Sequence, residues 1–259
     1  MKLTLEGLRT SLSQGLRPAY LISGDEPLLV SEAADAVRER ARGAGFDERD
    51  VYFIERAADW PDVLAGANNL SLFGSRKLLE LRLPSAKPGV AGAKAIVQLL
   101  DRQASDTIVL MLTGRLDRDG QNASWVKAFA TLGAWLPIWP IDATRLPAWL
   151  ATRARAAGLE LAPDALAFLA ERCEGNLLAA QQELEKLRLL APQGQVSLAA
   201  VQAAVADSAR YDVYQLGESA LAGDVARALR ILAGLRGEGV EPTLAQSSLA
   251  REIHSPWQA

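Results

Sequence analysis

The stretch AYLISGDEPLLVSEAADAVRERA, residues 19–41, decides how the fold is read. Ala19–Ile22 is a short apolar run of strand type. The turn Ser23-Gly24-Asp25-Glu26-Pro27 follows. Leu29, Ala33, Val37 and Ala41 then recur at four-residue steps, the spacing of one helix face. Strand, turn and helix in this order are the layout of a phosphate-binding loop. Such a loop works through the backbone N–H groups of a glycine-rich turn, a helix N-terminus and a lysine that reaches the outer phosphates. Here there is one glycine, Gly24, and no lysine followed by Ser or Thr. Pro27 has no N–H to donate. Asp25 and Glu26 place negative charge where an anion would sit; both suit the start of the helix as caps, and both repel phosphate. Gly24, Asp25, Glu26 and Pro27 therefore read as a degenerate nucleotide loop. An ordinary strand–turn–helix accounts for the same residues.

Outward from this stretch, strands and helices alternate. Strands are expected at Val51–Ile54, Lys77–Leu83, Thr107–Leu112 and Ala134–Ile138, and helices at about 28–42, 60–69, 91–102 and 122–132. Runs such as TIVLML suit buried strands, and the alternation argues for a parallel sheet covered by helices on both faces. After Pro140 the pattern becomes helical, with no convincing strand. Helices are expected at about 145–157, 163–173, 176–190 and 197–206, then at 212–222 and 224–236. Pro163 opens one of these and Pro192-Gln193-Gly194 closes another. The resulting division is 1–140 as an α/β domain, 141–209 as a small helical domain and 210–259 as a helical segment too short to close a core of its own.

Composition narrows the function. The 259 residues allow roughly two domains, and 49% hydrophobic content is ample for their cores. A net charge of −3 argues against a protein whose main task is gripping nucleic acid. The single cysteine, Cys173, excludes an intrachain disulfide and reads as a small core residue; a reducing cytoplasm fits. No apolar run reaches about 18 residues, so no membrane contact is expected. The single histidine, His254, leaves no histidine relay, and no Cys, His or carboxylate cluster has metal-ligand spacing. The run Thr107–Leu112 leads into Thr113-Gly114, with no acidic pair to hold magnesium. Asp117 and Asp119 read as solvated turn residues. Neither catalysis, nor a metal, nor a cofactor is expected.

Three stretches together resemble one family: residues 19–38, LSLFGSRKLLEL (70–81) and EGNLLAAQQELEKLRLL (174–190). Asn122 to Trp125 and RLPAWLATRARAAGLEL (145–161) fit it too. The family is the delta subunit of the bacterial DNA polymerase III clamp loader. The resemblance implies an AAA+-type fold: the α/β domain, then a helical lid, then a helical collar that joins a hetero-pentameric ring with other clamp-loader subunits. It implies a subunit without a working ATP site, and the lid agrees, because the arginine that active lids commonly carry is replaced after Gly175 by Asn176, Leu177 and Leu178. It implies a cytoplasmic replication protein that binds the sliding clamp, opens its ring and meets primed DNA only within the complex. Clamp contact is carried over to Leu70, Leu72 and Phe73. From the residues alone, adjacent Leu72 and Phe73 cannot both face one core in a regular element; a core-capping turn with Leu70 and Phe73 inward is the competing reading. The family continues well past residue 259, so the resemblance implies a C-terminally truncated chain with a partial collar. Two other classes stand beside this one: an ATP-binding AAA+ subunit, and a stand-alone DNA-binding module using Arg115, Arg118 and Lys127.

Overall fold

The computed structural model describes residues 1–68, 76–102, 104–173, 175–190, 195–205 and 213–237, together with residues 246 and 250. Two compact units divide it, Met1–Ile141 and Asp142–Ala259.

The first unit opens with helix α1 (Leu5–Gln14), capped by Thr4, whose hydroxyl accepts the Gly7 N–H. Strand and helix then alternate: β1 (Ala19–Ser23), α2 (Pro27–Arg42), β2 (Glu48–Phe53), α3 (Trp60–Asn68), β3 (Lys77–Leu83), α4 (Gly89–Asp101) and β4 (Thr107–Thr113). Two helices, α5 (Arg118–Asn122) and α6 (Ser124–Leu132), lead to β5 (Ala134–Pro137). The five strands form one parallel sheet in the order β2-β3-β4-β1-β5. β1 lies between β4 and β5, with Ala19 opposite Val109 and Tyr20 opposite Ala134. Both faces are covered. α2 packs on β1 and β4 through Leu29, Ala33 and Val37, with α1 against α2. On the other face Leu79, Leu81, Val109 and Met111 meet Ile96 and Leu99 of α4, Phe129 of α6, and Trp60 and Val63 of α3. Strands covered on both faces cannot alternate apolar and polar residues, which is why they read as continuous runs.

The second unit contains α7 (Leu146–Ala156), β6 (Glu160–Leu161), α8 (Pro163–Arg172), α9 (Leu177–Leu190), β7 (Gln195–Val196), α10 (Leu198–Val205), α11 (Val213–Leu221) and α12 (Val225–Gly237). Leu150, Leu169, Leu184, Leu187 and Val201 are buried, and α7, α8, α9 and α10 pack together. Cys173 is buried, and desolvation pushes its thiol up to about 12, so it is inert as a nucleophile. α11 and α12 pair, burying Leu216, Ile231 and Leu235.

Several expectations need correcting. The second half is not free of strands: β6 and β7 pair in parallel, Glu160 opposite Gln195 and Leu161 opposite Val196. Two residues are too few to carry a period. The helix expected at about 122–132 is α6, which starts at Ser124 because Ala123 is extended at φ −62°, ψ 150°; the short α5 before it was not expected. Asp117 is more than a solvated turn residue; its carboxylate caps α5 by accepting the Gly120 N–H at 2.7 Å. α1 was not anticipated, and β2 begins three residues earlier than its apolar part. Pro192-Gln193-Gly194 and His254 lie outside the described residues.

Candidate functional site

Gly24 leaves β1 with its N–H donated to the Thr113 carbonyl at 3.1 Å, one step beyond the β1–β4 ladder. The Ile138 N–H donates to the Ser23 carbonyl at 2.7 Å, which draws the chain leaving β5 against the same turn. A Cβ at Gly24 would collide with the Ile138 carbonyl oxygen. Glycine is needed here by the protein's own backbone, with no phosphate involved.

The two carboxylates behave differently from each other and from the expectation that both cap α2. Asp25 turns away from the helix, and its Oδ1 accepts the Arg115 N–H at 2.8 Å, tying the β1–α2 turn to the loop after β4. Glu26 holds the N-cap position of α2 but makes no capping hydrogen bond with its side chain. Burial pushes its carboxyl above the usual range. Pro27 occupies the first turn, where its missing N–H costs least.

The neighbouring polar groups are already engaged. The Thr113 hydroxyl donates to the Leu83 carbonyl at 2.8 Å, and the Trp135 indole N–H donates to Ser23 Oγ at 2.9 Å. Arg115 lies over the Trp139 ring, 5.1 Å from its centroid. The cleft lined by Ser23, Arg115, Leu116, Trp135, Ile138 and Trp139 holds about 10 Å³, room for a single water molecule. A nucleotide pocket is roughly 300–1,000 Å³. Among the described residues, no three His, Cys, Asp or Glu side chains converge on a possible metal position.

Leu70, Leu72 and Phe73 lie outside the described residues. The structure defines both flanks of their segment. On one side, Trp60 and Val63 seat α3 in the core. The last turns of α3 meet two side chains from the sheet: the Lys77 ammonium donates to the Gly66 carbonyl at 2.7 Å, and the Tyr52 hydroxyl fills the space a Cβ at Gly66 would need. On the other side, Arg76 donates to the Ala44 carbonyl at 3.1 Å and lies over the Phe46 ring at 5.0 Å. At the start of α9, Asn176 caps the helix by accepting the Ala179 N–H at 2.9 Å. Leu177 is buried there and Leu178 is exposed.

Sequence reasoning missed a cluster of charges. Glu80, in the middle of β3, is fully buried. It accepts hydrogen bonds from Arg38 at 2.9 and 2.8 Å, from Arg49 at 3.0 Å and from Arg82 at 2.8 Å. The signal in the sequence is a carboxylate inside an apolar strand with an arginine two residues on, on the same face.

A five-stranded parallel sheet, with a strand–turn–helix at β1 closed by its own side chains, defines an α/β protein of nucleotide-binding layout. The profile of the family described as "DNA polymerase III, delta subunit" matches residues 20–138. The DNA polymerase III subunit delta of Escherichia coli (strain K12) is 37% identical over 253 residues, covering 98% of this chain and 74% of that protein. The Haemophilus influenzae DNA polymerase III subunit delta is 30% identical over 254 residues, covering 96% and 73%. The solved structure of the Bacillus subtilis DNA clamp loader delta protein (YqeN) superposes with a TM-score of 0.59 at 17% identity, covering 95% of this chain and 76% of that one; at that identity the likeness is one of fold. The chain belongs to the DNA polymerase III delta subunit family. Among the described residues, no helix is long and apolar enough to cross a membrane.

Proposed function

We propose that this chain binds the sliding clamp and opens its ring for loading onto primed DNA, without binding or hydrolysing ATP itself. The observation that carries this reading is the closed β1–α2 turn in a chain 37% identical, along nearly its whole length, to a DNA polymerase III delta subunit. Gly24 serves the Ile138 backbone and Asp25 serves the Arg115 N–H. Neither is disposed to hold a phosphate. In this reading the AAA+-type scaffold is kept because it shapes a ring subunit, while other subunits of a hetero-pentamer hydrolyse ATP in the cytoplasm. The α/β part is 1–140, the lid 141–209 and the collar segment 210–259. Primed DNA is met inside the complex, not gripped by this chain alone.

The work on the clamp is mechanical. Leu72 and Phe73, with Leu70 beside them, enter an apolar pocket near a ring interface. A binder that favours one conformation of its partner shifts that partner's equilibrium by its differential affinity, with no chemistry. Burying a Leu and a Phe yields about 1.5–3 kcal/mol each, on the scale of a hot spot and large enough to offset part of the cost of parting one interface.

The test pairs Leu72→Ala/Phe73→Ala with the parent chain in calorimetry against purified sliding clamp. Losing about 2–4 kcal/mol at a hot-spot pair weakens affinity roughly 30- to 1,000-fold, with thermal unfolding unchanged. Clamp binding that survives places the contact elsewhere. A large fall in melting temperature makes the pair structural, since core truncations of this kind cost about 2–5 kcal/mol each.

A further inference from the structure

Strand β2 ends the sheet: β3 is its neighbour on one side, and among the described residues no strand lies on the other. The N–H groups of Glu48 and Ile54 donate to the Arg76 and Arg82 carbonyls of the β3 side. Alternation along the pair turns the N–H and carbonyl groups of Arg49, Val51 and Phe53 the other way, toward the open edge. The side chains of these three share one face of the sheet. Val51 is 37% and Phe53 61% exposed there. Arg49 reaches Glu80 at 2.9 Å, and Arg82 lies over the Phe53 ring at 5.0 Å. An open edge with exposed apolar side chains is a template for another strand. Charges at an edge ordinarily discourage such pairing, and β2 starts with Glu48-Arg49-Asp50. Whether they do so here depends on what each charge would meet across the edge.

We propose that β2 pairs with β2 of a second copy of this chain, antiparallel about a two-fold axis at Val51, joining two five-stranded sheets into one. The inference does not depend on the clamp contact. Few registers are open to a two-fold pairing that joins the outward-facing residues. Centred on Arg49, it sets that guanidinium against its own copy, and centred on Asp50 it sets carboxylate against carboxylate; like charges directly opposite are destabilising. Centred on Tyr52 or Phe53, it sets Arg49 or Val51 opposite Glu55, beyond the strand, whose N–H already donates to the Asp59 carboxylate at 2.9 Å. Centred on Val51, every pair lies within β2. Val51 meets Val51, Arg49 meets Phe53 of the second copy, and Asp50 meets Tyr52 of the second copy. Arg49, Val51 and Phe53 then exchange both of their outward backbone groups with the partner strand. A guanidinium beside an aromatic ring is favourable, so the charge that would blunt the edge is matched in this register. The edge is thus complementary to itself, as a closed two-fold contact requires. One strand pair makes a small interface, so the association is weak and depends on concentration.

The experiment is sedimentation equilibrium of the full chain from about 1 μM to about 1 mM, the range in which weak pairing appears, with thermal unfolding of each variant alongside. Val51→Pro removes the outward N–H at the axis and leaves the bonds to β3 in place. Val51→Lys and Val51→Glu each set like charges against each other across the axis. Val90→Lys adds the same charge on α4, where Val90 is 77% exposed and away from the edge. The parent should move from the mass of one chain to that of two as concentration rises. Val51→Pro, Val51→Lys and Val51→Glu alone should need about tenfold or more higher concentration to pair, whereas Val90→Lys should match the parent. An equimolar mixture of Val51→Lys and Val51→Glu should pair more tightly than either alone, because opposite charges then meet at the axis. If Val51→Pro does not fold, the Lys and Glu variants decide in its place. A parent that keeps the mass of one chain throughout overturns the proposal. So does a dimer that Val51→Lys leaves unchanged, or a mixture that pairs no better than its components.

Discussion

Glu80 is the residue whose surroundings say most about how this sheet tolerates charge. Burial raises its pKa, but the guanidinium hydrogen bonds of Arg38 and Arg82 and the charges of Arg38 and Arg49 outweigh it, leaving the carboxyl below its usual range. A carboxylate depressed in the folded chain stabilises the fold above its unfolded pKa, about 4.3. That contribution is lost as pH falls through the folded value. Glu80→Gln removes it and leaves three arginines around a neutral side chain. Breaking a buried ion cluster from one side costs about 3–5 kcal/mol. Urea unfolding at neutral pH should register that loss, and the variant's stability should decline less steeply than the parent's between about pH 5 and pH 3. A variant with parental pH dependence would remove Glu80 from the acid response. The cluster was only partly legible beforehand. Glu80 and Arg82 share a strand face by simple alternation, whereas Arg38 and Arg49 arrive from α2 and β2 and need the sheet order to be known. The capping role given to Asp25 failed for a similar reason, since its partner Arg115 lies far along the chain.

Among the elements, the β1–α2 turn is the one where conformation and function meet. Gly24→Ala would press a Cβ into the Ile138 carbonyl, a backbone atom that cannot rotate away. Overpacking of this kind costs about 1–3 kcal/mol, so the melting temperature should fall. Calorimetry with ATP and magnesium should give no saturable heat at micromolar nucleotide for either the parent or the variant. Unchanged melting would mean the turn has slack, and saturable heat would mean it opens to admit a nucleotide. At this scale the sequence was most readable where burial is greatest. β1, β3 and β4 are covered on both faces, so each appears as an apolar run. β2 is an edge strand, and its polar start, Glu48-Arg49-Asp50, hid its true beginning. The pair β6 and β7 left no trace because two residues have no periodicity.

For the whole molecule, the two units each carry a core assembled from their own residues. Residues 1–141 should therefore fold when expressed alone, with a cooperative melt, and under the proposed clamp contact at Leu72 and Phe73 this fragment should bind the clamp as well as the full chain does, because that segment and both of its flanks belong to this unit. A fragment that melts without cooperativity, or a folded fragment that ignores the clamp, would tie the activity to the second unit.

The position of β1 bears on how the chain is born. It leaves the ribosome before the other four strands of its sheet, yet its partners there are β4 and β5. Roughly 90 residues separate Ala19 from Val109 in the register. At about 5–20 residues per second, translation leaves this apolar strand without a neighbour for roughly 5–20 s. β2 and β3 can pair with each other before then, but the sheet joins only when β4 arrives to bridge them to β1. Closure of so many distant contacts makes for slow folding, and the nascent chain passes through an interval with a sticky, unpaired strand. Synthesis slowed before β4 should lengthen that interval and increase aggregation of the newborn protein, whereas a pause after β5 should not.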